Sequence, residues 1–250
     1  MVKFIALLLM AGLTLNVHAA SVKVFAAASL SPALQQIIER YEQLHDDDIV
    51  LVSGASSALA RQVSQGAPAD IYVSANQAWM QYVLDNTAIN TAKSQPWLGN
   101  QLVLVASGPQ QGFDVTSVQA WQAALQQDYL AMADSRHVPA GIYGKQALSA
   151  LGVWSELAHK IAASNNVRAA LALVERGAAP LAVVYQTDAE ASAKVHTLAV
   201  FPKDSHDPII YPALLLSETR ASARFYDFLW SQQALATLSQ HSFEVFPRVN

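Results

Sequence analysis

An α/β fold of two lobes is the architecture that the sequence predicts, and three observations predict it. Short apolar runs alternate with amphipathic stretches along the chain beyond residue 20, which is the pattern of strands covered by helices. The 250 residues are 52% hydrophobic and only 14% charged, a balance that suits sizeable cores and excludes a disordered tail or a coiled coil. No internal repeat and no low-complexity linker breaks the pattern, and extended segments join its two halves. Each lobe is expected to be a mostly parallel sheet flanked by helices, with right-handed crossovers. The cleft between the lobes is then the default ligand site.

Residues 1–19 stand apart as a signal peptide. Lys3 forms a short positive region, and the apolar run Phe4–Leu15 that follows is too short to span a bilayer core of about 30 Å. Val17-His18-Ala19 sets small residues before a cleavage site after Ala19 or Ala20. No cysteine follows to carry a lipid, so the expected product is a soluble periplasmic protein without a membrane anchor. Residues 20–100 with 206–250 are expected to form one lobe and residues 101–205 the other.

The elements follow in order. Val22–Ala27 reads as a strand, and Ser31-Pro32 as an N-cap with proline at the first helical position. Leu34, Ile37, Ile38, Tyr41 and Leu44 recur at helical spacing, so that helix lays one face on a sheet. Ile49–Val52 is a second strand, and the helix begun by Ser56-Ser57 is ended by Gly66. Asp70–Ala75 and Leu102–Ala106 are further strands, and Tyr129–Met132 leads through Val138-Pro139-Ala140-Gly141 into a helix over Ile142–Leu151. Asn165-Asn166 caps a helix over Val167–Arg176 that Gly177 terminates. Leu181–Tyr185 is a buried strand, with strands at His196–Phe201 and Ile209–Leu216, and one helix over Ser222–Leu238 closes the chain.

Several chemistries are excluded. Without cysteine there are no disulfides, thiolate nucleophiles or cysteine-ligated metal centres. A net charge of −4 with no Lys/Arg cluster leaves no footprint for nucleic acid or anionic lipid. The histidines show no zinc-ligand spacing, and neither a Walker A loop nor a G-x-G-x-x-G fingerprint is present. Gly54-Ala55-Ser56-Ser57-Ala58 approaches a nucleophile elbow, but its fifth position is alanine; a secreted serine hydrolase is kept as the alternative of a different class. His45-Asp46-Asp47-Asp48 falls between a helix and a strand and reads as a solvated turn.

The informative feature is where helices begin. Ala28-Ser29, Ser56-Ser57, Pro139-Ala140 and Asn166-Val167 all stand at expected helix starts, where unpaired N–H groups and a partial positive charge make ready anion sites. Serines there also serve as simple caps, and Pro-Ala-Gly as a simple turn; both readings stand at this point.

Five segments carry a resemblance. They are Val24-Phe25-Ala26-Ala27-Ala28-Ser29-Leu30, Leu59-Ala60-Arg61-Gln62, Gly66-Ala67-Pro68-Ala69-Asp70, Val138-Pro139-Ala140-Gly141-Ile142-Tyr143 and Ala170-Leu171-Ala172-Leu173-Val174-Glu175-Arg176. Together, and in this order from about residue 22 onward, they resemble the periplasmic molybdate-binding proteins of ABC importers. The resemblance implies a two-lobed, type II periplasmic binding protein that holds one tetrahedral dianion in its hinge cleft. It implies hydroxyl and N–H contacts from Ser29 and Ser56, backbone N–H contacts from Ala140 and Val167, and the phenol of Tyr185. The run has fewer serines than is usual in the family, so Ser57 competes with Ser56. Gln186-Thr187-Asp188 departs from the smaller residues expected before the aspartate. It further implies a monomer that captures molybdate, with tungstate as a second ligand, and delivers it to a membrane permease. No covalent chemistry, cofactor or bare metal cation is involved; a receptor for another oxyanion such as sulfate is the nearer alternative.

Such a site makes chemical sense. Molybdate and tungstate are fully deprotonated at neutral pH and offer only acceptor oxygens, so a matching pocket needs donors alone. Phosphate keeps a proton near neutral pH and asks for a carboxylate acceptor as well, and none of the five implied contacts is acidic.

Overall fold

The structure, a computed structural model, describes residues 21–89, 94–108 and 112–248. The expected signal peptide, residues 1–19, lies outside the described residues. In chain order the elements are β1 (Ser21–Ala27), α1 (Ser31–Glu42), β2 (Asp48–Gly54), α2 (Ser56–Ser64), β3 (Ile71–Val73), α3 (Gln77–Asn86), β4 (Gln95–Gly99) and β5 (Leu102–Ala106). They continue with α4 (Val118–Leu125), β6 (Leu130–Ala133), α5 (Pro139–Ala150), α6 (Trp154–Leu157), β7 (Ile161–Ser164), α7 (Val167–Glu175), β8 (Leu181–Tyr185) and α8 (Gln186–Glu190). The last are β9 (His196–Val200), β10 (Ile210–Leu215), α9 (Arg220–Phe228), α10 (Gln232–Gln240) and β11 (Glu244–Val245).

Two sheets result. The first has the order β11-β4-β10-β3-β1-β2 and the second β7-β6-β8-β5-β9. In the first, β1 runs parallel to β2 and β3, while β10 runs antiparallel to β3 and β4. In the second, β6 runs parallel to β7 and β8, while β5 runs antiparallel to β8 and β9. Both sheets are therefore mixed rather than mostly parallel. Two of the antiparallel strands stand where the chain changes sheets: β5 enters the second sheet directly from β4, and β10 returns to the first after β9, while β11 adds an antiparallel edge to β4. Strand direction leaves no trace in apolar content, because a strand covered on both faces reads the same either way.

β5 and β8 show this plainly, since all ten of their residues are buried and Leu102 pairs with Tyr185 across the ladder. Gly66 and Gly177 adopt φ of +88° and +69° just past α2 and α7, the left-handed conformation that ends a helix at little cost only for glycine. Ser31 does not cap α1. A turn of 3-10 helix over Ala28–Leu30 precedes it, and the Ser31 hydroxyl donates back to the Ala28 carbonyl at 2.9 Å. The closing helix is two: Ser231 breaks it and caps α10 by accepting from the Ala234 N–H at 3.2 Å. The acidic run after α1 is not wholly solvated. Asp47 is buried, accepts the Tyr41 hydroxyl at 2.6 Å and pairs with Arg224 at 3.2 Å, tying α1 to α9.

Candidate functional site

Strand ends and helix starts meet between the two sheets. β1 runs out at Ala27 into the turn that carries Ser29, and β2 at Gly54 into Ala55 and α2. β6 leads through Val138 into α5, and β7 through Asn165-Asn166 into α7, while β8 ends on Tyr185 itself. These are the carboxyl ends of the parallel strands, where open α/β sheets place ligands. Ser29, Ser56, Ala140, Val167 and Tyr185 all line one small cavity. Its other walls are small or neutral residues, among them Ala27, Gly54, Ala75 and Asn166, and no lining side chain is charged.

The helix starts are left open toward this cavity. Neither Ala55, before α2, nor Val138, before α5, offers a capping side chain, so the first N–H groups of both helices lack intrachain partners. At α7 the Asn166 side chain accepts from the Ala169 N–H at 2.9 Å and leaves the N–H of Val167 free. The serines are not caps either. Ser56 accepts the N–H of Ala75 at 2.8 Å, an arrangement that leaves its own proton to donate. Ser29 shares a hydrogen bond of 2.9 Å with the Tyr211 hydroxyl.

Tyr185 lines the cavity, is buried, and its hydroxyl has no hydrogen-bond partner. A buried hydroxyl without a partner costs free energy, so this atom points to a ligand acceptor. Burial pushes its pKa well above the ordinary value, which keeps the phenol a donor. The Ser57 oxygen is likewise buried without a partner but is not on the cavity wall.

The start of α5 reaches the cavity because of Gly141. A β-carbon there would lie 2.2 Å from the Ala133 carbonyl oxygen, and one at Gly144 2.5 Å from the Met132 sulfur. These two glycines let α5 lie flush on β6, which sets Pro139 and Ala140 at the cavity edge.

Three residues behind the wall lie outside the set of contacts that the sequence implied. Tyr211 and Asn100 stand behind Ser29, with the Asn100 amide donating to the Tyr211 hydroxyl at 3.2 Å. Asp188 is buried with no hydrogen bond to either oxygen, and Arg168 stands 3.6 Å away. Burial raises its pKa to about 7, against the pull of Arg168. Among the described residues no group of histidines, cysteines or carboxylates could hold a metal ion, and no histidine is hydrogen-bonded to Ser29, Ser56 or Ser57.

Two mixed sheets with helix starts open toward a neutral cavity make a binding site of the kind that solute-binding proteins carry. The chain belongs to the bacterial extracellular solute-binding proteins, whose family pattern it matches over residues 22–244. Among its relatives, the molybdate-binding protein ModA of Escherichia coli (strain K12) is 45% identical over 228 residues, 90% of this chain and 89% of that one. The molybdate-binding protein of Haemophilus influenzae is 41% identical over 241 residues, 94% and 95% of the two chains. The solved periplasmic molybdate-binding protein of Azotobacter vinelandii shares the fold with a TM-score of 0.76 at 21% identity, over 91% of this chain and 100% of that one. The sulfate-binding protein SubI of Mycobacterium tuberculosis shares it with a TM-score of 0.69 at 16% identity, over 90% and 86%. The hydrolase alternative for Gly54–Ala58 is thereby overturned, since the family binds solutes and is not one of enzymes.

Proposed function

We propose that the protein is a periplasmic receptor that captures molybdate, and tungstate with it, and hands the anion to the membrane permease of an ABC importer. One observation carries this reading: the open helix starts, the Ser29 and Ser56 hydroxyls and the unpartnered Tyr185 phenol all converge on a cavity that no charged side chain lines. Such a wall can donate hydrogen bonds to a dianion from several sides. Helix ends and oriented N–H groups supply the positive potential. The names of the relatives at 45% and 41% identity support molybdate as the anion.

Ser29, Ser56 and Tyr185 serve as hydroxyl donors in this reading, and Ala140 and Val167 as backbone donors. One lobe comprises residues 20–100 with 206–250 and the other residues 101–205, and a soluble monomer closes on the ligand between them. Calorimetric titration of the protein with molybdate, tungstate, sulfate and phosphate tests the proposal. Molybdate and tungstate are expected to bind tightly and alike. Sulfate is smaller, and donors on helix starts cannot swing inward to follow its oxygens. Hydrogen bonds lengthen and weaken accordingly, and two lost bonds at about 1–3 kcal/mol each amount to roughly a thirtyfold preference or more. Sulfate binding equal to molybdate would overturn the choice of anion.

A further inference from the structure

Asn100 lies in the short crossover from β4 to β5, where the chain leaves the first sheet for the second. Its orientation is determined by its neighbour, because the Gln101 N–H donates to Asn100 Oδ1 at 2.9 Å. Only the oxygen of an amide accepts, so the NH₂ group must face the other way. There it donates to two hydroxyls at once: Thr187 of α8 at 2.9 Å and Tyr211 of β10 at 3.2 Å. One amide thus bridges the second sheet's side of the molecule and the first sheet itself.

The direction propagates. The Tyr211 hydroxyl accepts from Asn100 and holds one proton, and Ser29 Oγ stands 2.9 Å from it. Tyr211 is fully buried and its pKa is pushed well above the ordinary value, chiefly by burial, so that proton stays on the phenol. If Tyr211 donates to Ser29, the single proton of Ser29 is left for the cavity.

We propose that Asn100 and Tyr211 are positioning residues, which aim the Ser29 hydroxyl proton at the bound oxyanion through a one-way chain of hydrogen bonds from the crossover to the site. The chain rests on the reading of the cavity as an oxyanion site and explains how a serine, able to donate or accept, is held as a donor. Hydrogen bonds in such a series polarise one another, and an anion at the end strengthens each. Neither residue lines the cavity, so both act through Ser29.

A double-mutant cycle tests this with sodium molybdate as the titrant. Wild type, Tyr211→Phe, Ser29→Ala and the double variant are titrated by calorimetry after thermal unfolding has shown each to be folded. Tyr211→Phe is expected to weaken binding about three- to tenfold in the wild-type background. In the Ser29→Ala background the same change should cost less than about twofold, because residues that act as one unit are not additive. A merely structural role would weaken binding equally in both backgrounds, and that result overturns the proposal, as does no loss in either. If Tyr211→Phe does not fold, Asn100→Ala replaces it in the same cycle with the same expectation. Absence of molybdate binding to the wild type would instead overturn the functional reading itself.

Discussion

The indole of Trp79 is bonded to the backbone of His137: Nε1 donates to the carbonyl at 2.7 Å. Trp79 belongs to α3, on the first sheet's side, with the Arg61 guanidinium 4.8 Å from its ring centre and the Tyr82 ring edge against it. His137 precedes α5, on the second sheet's side. The bond therefore latches the two sides next to the helix start that carries Ala140. Trp79→Phe keeps the aromatic surface and removes the bond. Molybdate affinity is expected to fall about two- to tenfold, mainly through faster release. Stopped-flow dissociation measures this, and an unchanged release rate would show that the latch does not hold the closed form.

The hydroxyl donors make the second expectation. Ser29→Ala and Tyr185→Phe each remove one hydrogen bond to a charged ligand, worth about 1.5–3 kcal/mol. Affinity should drop roughly ten- to a hundredfold for each, with the melting temperature of the free protein little changed for Tyr185→Phe, whose hydroxyl has no internal partner. Ser57→Ala should cost less than Ser56→Ala, because Ser56 lines the cavity and Ser57 does not. The reverse order in calorimetry would reassign the ligand within the serine run.

Gly141 is the third. Alanine there puts a methyl group 2.2 Å from the Ala133 oxygen, so α5 must lift from β6. Overpacking of this kind costs about 1–3 kcal/mol, which thermal unfolding would register as a lower midpoint. Since α5 carries the Ala140 N–H, binding should weaken as well. A variant with wild-type stability and affinity would mean that the helix can shift without disturbing the site.

The fourth concerns pH. Asp188 has a pKa raised from 3.8 to about 7 by burial. A carboxyl with a raised value favours its neutral form when folded, so its contribution to stability is complete below the unfolded pKa and is lost as pH rises through about 7. The groups facing it are Arg168 of α7 and the phenols of Tyr185 and Tyr211. Asp188→Asn should therefore gain stability over wild type at about pH 8 and little at about pH 5. An ionised Asp188 also opposes a dianion nearby, so wild-type affinity should decline between about pH 6 and 8 while that of the variant stays flat. Equal pH profiles for the two proteins would remove Asp188 from the argument.

Much of this was legible along the chain, for reasons that differ by element. Leu102–Ala106 and Leu181–Tyr185 are covered on both faces and so appear as unbroken apolar runs. β4, with Pro96 in the sequence Gln-Pro-Trp-Leu-Gly, looks like a turn, because its pairing with β10 is contributed by residues more than a hundred positions away. The break between α9 and α10 was hidden by a continuous helical stripe, although Ser231 is a good cap. At the site, the starts of α5 and α7 could be marked because Pro139 and Asn166 are local signals. The partnership of Asn100 with Tyr211, 111 residues apart, is created only when the crossover and β10 meet.

Because Ala140 and Val167 would serve through their main-chain N–H groups, replacing their side chains removes no donor from the cavity. At these two positions heritable change can retune the pocket only by bulk or by tilting a helix, and the alanines and glycine on its wall are where bulk would tell first. Each added methyl there narrows the space available to the anion while leaving the charge pattern intact. Drift in this receptor should therefore alter which size of tetrahedral anion is accepted before it alters the preference for anions over neutral solutes.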